Sequence, residues 1–296
     1  MFVICFLACK GSSDQKKAKD DNESAKKGSG AVCESIEECE KGCDAEKADH
    51  CVALGNLDLS KPRPAPADTE AAKKAFQSAC DAGSQAGCAM VGHCLQQLDR
   101  TLAGGKKALG LFETACKKGE PLGCTLQGDV LEGVMVEGKY VVEKDHPRAM
   151  KLFQKACDDD FALGCVRLGV GHNALFESEG GDPKKAYKAF EKACSLGSQG
   201  GCGWQGLERV LGSGVEANVE EGVKLMETAC AKGRPGFPDY PATSCDSVAE
   251  IYENGKYGVE ASIKKAWPLY TRACSMGLDS SCAKGKELRK KAATAE

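Results

Sequence analysis

The chain is poor in aromatic side chains and has no excess of either charge. Phenylalanine, tryptophan and tyrosine make up 6% of its 296 residues, and the formal net charge is −3. Basic and acidic residues are interspersed along the sequence, so no basic face is expected and nucleic acid is excluded as a partner. Alanine and glycine are abundant instead, as expected where small residues let helices approach closely.

Histidine is also scarce, and no metal-ligand spacing is present. His50, His93, His146 and His172 are far apart, and the dominant cysteine spacing is Cys-x7-Cys instead of paired Cys-x-x-Cys elements. Zinc and iron–sulfur sites use clustered ligands. We therefore predict neither a metal nor another cofactor.

Serine hydrolase motifs are incomplete. Ser262-Ile-Lys-Lys265 has the Ser-x-x-Lys spacing of penicillin-interacting enzymes, but no Lys-Thr-Gly follows anywhere in the chain. Ser262 also stands at a predicted helix start, where a capping serine is common. We predict no catalytic residues.

Cysteine is the residue present in excess, at 19 copies in fixed positions. Reduced thiols could fill a core, but that would not explain why two recur together at every junction. A disulfide between the last turn of one helix and the first turn of the next explains the pairing and requires an oxidising compartment. The predicted pairs are Cys43–Cys51, Cys80–Cys88, Cys116–Cys124, Cys157–Cys165, Cys194–Cys202, Cys230–Cys245 and Cys274–Cys282. Cys33 and Cys39 are expected to pair as an N-terminal cap, with Cys39–Cys51 as the alternative.

The cysteines belong to a longer repeat, Ala-x-x-x-Phe-x-x-Ala-Cys followed by Gly, Cys and Gly. The first cysteines of successive junctions, from Cys80 to Cys274, are 36, 41, 37, 36 and 44 residues apart. Offsets of 4, 7 and 8 lie on one helix face, and a period of this size indicates a solenoid. We predict an all-α solenoid of αα-hairpins with about six disulfide-stapled repeats and a C-terminal capping helix.

Each unit is predicted to have one helix that begins at the second cysteine and one that ends at Ala-Cys, joined by a glycine and valine loop. Asp145-His-Pro147 and Asp182-Pro183 are typical helix starts. Pro268 lies within a helix pattern and is expected to kink or shorten that helix. The solenoid spans 31–296, with units at about 43–79, 80–115, 116–156, 157–193, 194–229 and 230–273 and a cap at 274–296.

The N-terminal segment resembles the end of a bacterial lipoprotein signal. Residues 1–9 are apolar and end in Leu7-Ala8-Cys9, which makes Cys9 the expected lipidation site. Residues 10–30 are polar and are expected to form a disordered tether. A lipid anchor would then be the chain's only membrane contact.

Four side chains are candidates for a binding groove on the concave face, and two for a projecting loop. Two of the groove candidates, His172 and Arg209, stand where other units have Leu95, Leu131 and Tyr252, and Trp204 stands at a variable position. The loop candidates lie in an insertion between Cys230 and Cys245. Cys94 aligns with apolar residues and is expected to be a buried free thiol. The groove candidates are Gln97, His172, Trp204 and Arg209, and the loop candidates are Phe237 and Tyr240.

The motif Ala-x-x-x-Phe-x-x-Ala-Cys-x-x-Gly-x-x-x-Gly-Cys-x-x-Leu-Gly resembles the Sel1-like repeats, relatives of the tetratricopeptide repeat. With its paired cysteines the chain is similar to the Helicobacter cysteine-rich protein family over about residues 40–290. Asp160 and Ala249 depart from the pattern, because other units have glycine there. The resemblance implies a right-handed superhelix that is exported, with penicillin binding and weak β-lactamase activity credited to some members.

We therefore predict a monomeric, extracytoplasmic scaffold that binds a peptide or protein partner, or cell-wall fragments, on its concave face. It would be an outer-membrane lipoprotein or a periplasmic or secreted protein. The alternative is a penicillin-binding protein or slow β-lactamase, which follows from the resemblance alone.

Overall fold

The computed structural model describes residues 33, 36–44, 47–58, 66–173, 181–233 and 241–294. The predictions for Cys9, the tether at 10–30, Phe237 and Tyr240 lie outside these residues.

Within the described residues the chain forms fourteen α-helices. They are α1 (Ile36–Asp44), α2 (Ala48–Asp58), α3 (Pro66–Asp81), α4 (Gln85–Leu98), α5 (Leu102–Lys117), α6 (Pro121–Leu131), α7 (His146–Asp158), α8 (Ala162–His172), α9 (Pro183–Ser195), α10 (Gln199–Leu211), α11 (Val219–Lys232), α12 (Pro241–Asn254), α13 (Ile263–Ser275) and α14 (Asp279–Thr294). A small hairpin of β1 (Met135–Val136) and β2 (Lys139–Tyr140) lies in one loop, and a 3-10 turn, Lys256–Gly258, lies in another.

Each helix packs against the next along the chain, which confirms the all-α hairpin solenoid. The even-numbered helices of successive units also pack on one another from α2 to α12, whereas close approaches between odd-numbered helices of successive units occur at α1–α3 and α11–α13. Elements on the concave side of a curved stack lie closer together. We therefore call the even-numbered helices inner and the odd-numbered helices outer.

Seven disulfides close one edge of the solenoid, where each outer helix turns into the next inner helix, whereas Cys33–Cys39 joins a residue that precedes α1 to α1 itself. The structure joins all eight cysteine pairs named above, with Cα–Cα separations from 4.4 to 5.3 Å. Cys33 pairs with Cys39, so the alternative Cys39–Cys51 pair does not form. We call this side the disulfide edge, and the opposite side, where inner helices connect to outer ones, the loop edge.

Two glycines in most repeats allow the helices to pack this closely. A Cβ at Gly123, just before the second cysteine, would collide with the side chain of Ala115, and one at Gly128 would collide with the ring of Phe153. Phe153 is almost fully buried. The same contacts recur in other units, so the glycines of the motif mark the two points where inner and outer helices touch.

A residue with left-handed backbone reverses the chain at the disulfide edge. Gly83, Gly119, Gly197 and Gly277 have φ between 88° and 99°, and Asp160 takes the same place with φ of 56°. Glycine adopts this conformation at no steric cost, whereas aspartate is one of the few other residues that tolerate it.

The inner helices begin three residues earlier than the sequence predicts, before the second cysteine instead of at it. Ser84 and Ser198 cap two of them by accepting the backbone N–H groups of Gly87 and Gly201. The outer helices extend one residue past Ala-Cys at most junctions, so each first cysteine lies within a last helical turn.

Pro268 was expected to kink or shorten its helix, and the shortening does not occur. Helix α13 continues from Ile263 to Ser275 with Pro268 as its sixth residue. Proline lacks an N–H, so the carbonyl of Lys264 receives no intrahelical bond from it. Burial of Ala266, Tyr270 and Ala273 on one face accompanies the continuous helix.

Candidate functional site

The inner helices carry buried polar side chains that connect successive units. The Nε of Arg167 on α8 donates to the Oδ1 of Asp129 on α6 at 2.7 Å, and both side chains are at most 19% exposed. Removing one partner of such a pair would leave an uncompensated charge in a poorly hydrated place. This ion pair therefore fixes the register between two units on the concave side formed by the inner helices, which we call the inner face.

A second buried contact joins the next two inner helices. Asn173, directly after α8, donates from Nδ2 to Oε1 of Glu208 on α10 at 2.6 Å, and both residues are at most 1% exposed. Burial raises the pKa of Glu208, while hydrogen bonds from Ser213 and Asn173 oppose that rise. A carboxyl group in this setting holds its proton more readily than one in water.

Of the four groove candidates, Trp204 and Gln97 are half-buried on inner helices. The Trp204 ring stacks on Phe190 with centroids 5.5 Å apart and an interplanar angle of 12°, which leaves part of the indole accessible on α10. Gln97 lies 2.8 Å from the Nε2 of His93, one turn earlier on α4. A stacked, partly exposed indole is a typical anchor for a partner's side chain.

The other two candidates lie towards the loop edge. Arg209 lies 5.7 Å from the centre of the Tyr187 ring and pairs with Glu221 at 3.0 Å. The pKa of Asp182 is lowered mainly by the hydrogen bond from the backbone N–H of Lys185 and least by the charge of His172. Because the two side chains interact, His172 lies near Asp182 at the start of α9. Arg209 lies five residues after Trp204 on α10, so the two side chains leave the helix in different directions. A groove lined by all four candidates therefore remains a prediction.

Ser262 is a helix cap, as the sequence predicts. Its side chain accepts the backbone N–H of Lys265 at the start of α13. The Nζ of Lys265 lies 4.8 Å from the centre of the Tyr252 ring. The hydroxyl of Ser262 thus caps a helix, and the ammonium of Lys265 contacts an aromatic ring. This pair gives no support to serine hydrolase chemistry.

Cys94 is buried with no exposed surface and is not disulfide-bonded. Burial raises the pKa of its thiol to about 12. A thiol with this pKa stays protonated at neutral pH and is a poor nucleophile or metal ligand.

Among the residues that the structure describes, no three histidine, cysteine, aspartate or glutamate side chains are grouped closely enough to hold a metal ion. Within those same ranges, none of the helices combines the length and apolarity needed to cross a bilayer.

The fold and its repeated junctions define a tetratricopeptide-like helical solenoid. The Sel1 repeat model matches residues 85–120, 134–161, 162–198, 207–233 and 242–278, more than half of the chain. The chain therefore belongs to the Sel1 repeat family, whose members generally act as protein-binding scaffolds without enzymatic activity. The closer likeness to the Helicobacter cysteine-rich proteins remains a prediction.

A curated relative is cytochrome c oxidase assembly factor 7 of Xenopus tropicalis, 36% identical over 94 residues, which are 30% of this chain and 39% of the relative. The chain thus spans about two fifths of the length of that relative.

Two solved structures share the fold. One is c5321, a protective antigen of uropathogenic Escherichia coli with an SLR fold, at 20% identity and a TM-score of 0.58 over 88% of this chain and 52% of that one. The other is a Sel1 repeat protein from Oxalobacter formigenes, at 19% identity and a TM-score of 0.53 over 81% and 98% of the two chains.

Sequence reasoning missed the buried polar contact at the loop-edge ends of two inner helices. Glu208 occupies the position filled by Cys94, Val130 and Ile251 in other units, so a carboxylate among apolar residues was a detectable signal. Its partner Asn173 lies 35 residues earlier and carries no comparable signal.

Proposed function

We propose that the chain is a rigid scaffold in an oxidising, extracytoplasmic compartment and binds an extended peptide or protein partner on its inner face. The observation that carries the proposal is the run of eight disulfides along a Sel1 repeat solenoid. Disulfides of this number persist where thiols are oxidised. Membership of a family of protein-binding scaffolds supports a protein partner.

Rigidity favours binding in a specific way. A surface that is already ordered loses little conformational freedom when a partner binds, so more of the contact energy appears as affinity. The disulfides tie each outer helix to the next inner helix, and the buried Arg167–Asp129 pair holds two successive inner helices in one register. Trp204 is the aromatic anchor on this face.

The assembly-factor relatives support a role in handling another protein. Their match covers about a third of this chain, so their partner is not transferred with it. The proposal includes attachment to an outer membrane through a lipid on Cys9, with residues 10–30 as the tether, or a free periplasmic or secreted form. It also includes cell-wall fragments as ligands. β-Lactam hydrolysis is not proposed, because the chain has no Lys-Thr-Gly element and Ser262, which has the Ser-x-x-Lys spacing with Lys265, serves as a helix cap.

Site-directed crosslinking in the native host tests the partner. Benzoylphenylalanine in place of Trp204 should yield a discrete adduct, while the same residue in place of exposed Leu196 at the disulfide edge should not. Adducts of equal yield from both positions, or none from position 204, would contradict binding on the inner face.

Two further measurements test the compartment and the anchor. Alkylation of the native protein followed by mass spectrometry should find Cys116 and Cys124 joined to each other. Incorporation of an alkyne-tagged palmitate should disappear in Cys9→Ser. Free thiols at this junction would overturn the compartment, and labelling that persists in Cys9→Ser would overturn the anchor alone.

A further inference from the structure

The seven disulfides of the disulfide edge differ in how far solvent reaches them. In three of them neither cysteine is more than 6% exposed, whereas in three others both cysteines are half-buried. Cys43–Cys51 combines one half-buried and one buried cysteine. The buried disulfides are Cys116–Cys124, Cys157–Cys165 and Cys230–Cys245, and the half-buried ones are Cys80–Cys88, Cys194–Cys202 and Cys274–Cys282. One repeated motif therefore gives disulfides of two kinds.

The residue at one repeat position distinguishes the two kinds. This position lies on the outer helix that follows the disulfide, two residues before the first cysteine of the next junction. A lysine or arginine occupies it after each buried disulfide, and a serine or threonine occupies it after the other junctions. The basic residues are Lys155, Lys192 and Arg272, and the hydroxyl residues are Ser78, Thr114 and Thr228. Cys274–Cys282 is followed by no outer helix among the described residues.

The basic side chains lie against the buried disulfides. The Nζ of Lys192 donates to the carbonyl oxygen of Cys157 at 2.6 Å, and the Sγ of Cys165 lies 3.7 Å from the same oxygen. Lys155 repeats this arrangement at the carbonyl of Cys116, at 3.4 Å, where the second sulfur of that disulfide is 3.8 Å from the oxygen. The lysine stem and ammonium thus cover the disulfide of the preceding unit.

The hydroxyl side chains at the same position interact within their own helices. The Oγ1 of Thr114 donates to the carbonyl of Gly110 at 2.8 Å, and the Oγ1 of Thr228 donates to that of Lys224 at 2.8 Å. Threonine is also shorter than lysine, so neither side chain covers the disulfide of the preceding unit.

We propose that the half-buried disulfides are sites of thiol–disulfide exchange in the folded protein, and that the basic side chains protect the buried ones. The reactant is a low-molecular-weight dithiol. Its thiolate bonds to one cysteine sulfur while the S–S bond breaks, and the electron pair leaves on the other sulfur, which takes a proton from water. The second thiolate of the reagent then displaces the bound cysteine, so the reagent is oxidised and the protein disulfide is reduced.

Access to a sulfur atom determines which bonds react, because the thiolate must reach one of the two sulfurs. The solenoid thus has a protected set of disulfides and a second set that solvent thiols can open without unfolding the chain. This property concerns the disulfide edge and goes beyond the binding function of the inner face.

Brief treatment of the full, oxidised chain with dithiothreitol tests the inference. N-ethylmaleimide traps the free thiols, and peptide mass spectrometry follows each disulfide separately. The three half-buried disulfides should be reduced at least about tenfold faster than the three buried ones, since attack requires access to a sulfur. In concentrated guanidinium chloride, which removes the shielding by the fold, the rates should converge. Equal rates in the folded chain, or a difference that persists in guanidinium chloride, would overturn the proposal.

Substitutions at the shielding position test the cause of the difference. Lys192→Thr should accelerate reduction of Cys157–Cys165 several-fold, while Cys116–Cys124 should stay slow because its own lysine is unchanged. Lys188→Thr is the matched control, because Lys188 is exposed one turn earlier on α9, and it should leave both rates unchanged.

Thr114→Lys is the reverse substitution and should slow the reduction of Cys80–Cys88 several-fold. An ammonium that attracted the thiolate instead of covering the sulfur would have the opposite effect in both variants. A slower or unchanged reduction of Cys157–Cys165 in Lys192→Thr would therefore overturn the proposal. Equal acceleration of all three buried disulfides in that variant would also overturn it, since it would indicate general loosening of the fold.

Discussion

The two edges of the solenoid are held together by different chemistry. At the disulfide edge, covalent bonds tie each outer helix to the next inner helix, and Lys155, Lys192 and Arg272 donate to carbonyls of the preceding junction. At the loop edge the units are joined by the Arg148–Glu113 ion pair and by the buried Asn173–Glu208 contact. One edge should therefore respond to reductant, and the other to pH and salt.

Complete reduction should have the largest effect. Closing a loop of nine residues contributes about 2.5 kcal/mol in the chain-entropy model, and the free energy of unfolding of a whole domain is roughly 5–15 kcal/mol. Loss of all eight disulfides should therefore unfold the chain. Far-UV circular dichroism with and without dithiothreitol measures this. Treatment with 1 M sodium chloride, which screens the loop edge, is the control and should retain the helical signal.

Removal of one staple should cost far more than removal of one loop-edge ion pair. Cys116→Ala with Cys124→Ala should lower the free energy of unfolding by about 2.5 kcal/mol. Glu113→Gln, which removes the partly exposed pair with Arg148, should lower it by less than about 1 kcal/mol. Urea denaturation compares the two, and similar losses would contradict the division between the edges.

The reversal residue of each disulfide-edge turn should have a smaller effect. Gly197→Ala should destabilise by about 1 kcal/mol, because φ of 91° suits glycine and no neighbouring atom would obstruct the new methyl group. Asp160→Gly should stabilise by up to about 1 kcal/mol by the same reasoning. The gain is reduced by the loss of the exposed Lys192–Asp160 ion pair. Thermal denaturation provides the measurement, and shifts of the same sign in both variants would contradict this account.

The smallest effect should be the change in stability with pH that Glu208 causes at the loop edge. Its pKa is raised in the folded state by burial, so the folded chain holds this proton longer than the unfolded chain does. Its contribution to stability is therefore greatest below its unfolded pKa of about 4.5 and falls as pH rises through the folded value. Urea midpoints between pH 4 and 7 should fall more in the natural chain than in Glu208→Gln.

Glu143→Gln is the control for that series, because Glu143 is exposed at the same edge. It should follow the natural chain across the whole pH range. A Glu208→Gln variant that also follows the natural chain would show that the buried carboxyl does not titrate differently on folding.

The sequence predicts the disulfide edge better than the loop edge, for a physical reason. Cys116 and Cys124 lie eight residues apart, so their pairing follows from one turn between two helices. Glu208 and Asn173 meet only because two units stack, and the short hairpin of β1 and β2 has no counterpart in the repeat pattern. Contacts set by local geometry were predictable, whereas contacts set by stacking were not.

The groove candidates show the same limit within one helix. Trp204 was chosen because its position varies between units and Arg209 because it replaces an apolar residue, but the position of Arg209 seven residues after Cys202 directs it to Tyr187 and Glu221. Pro268 shows the reverse case, since tertiary burial of Ala266 and Tyr270 accompanies a helix that the local sequence disfavours.

The short span of most disulfides has a consequence for biosynthesis. Six of the eight link cysteines eight residues apart, whereas the nearest cysteine of the next junction lies 28 to 33 residues away. Loop entropy favours the local partner by about 1 kcal/mol. Each bond can thus form as soon as its own turn meets oxidising conditions, and a protein with 19 cysteines avoids most of the shuffling that its cysteine content would otherwise impose.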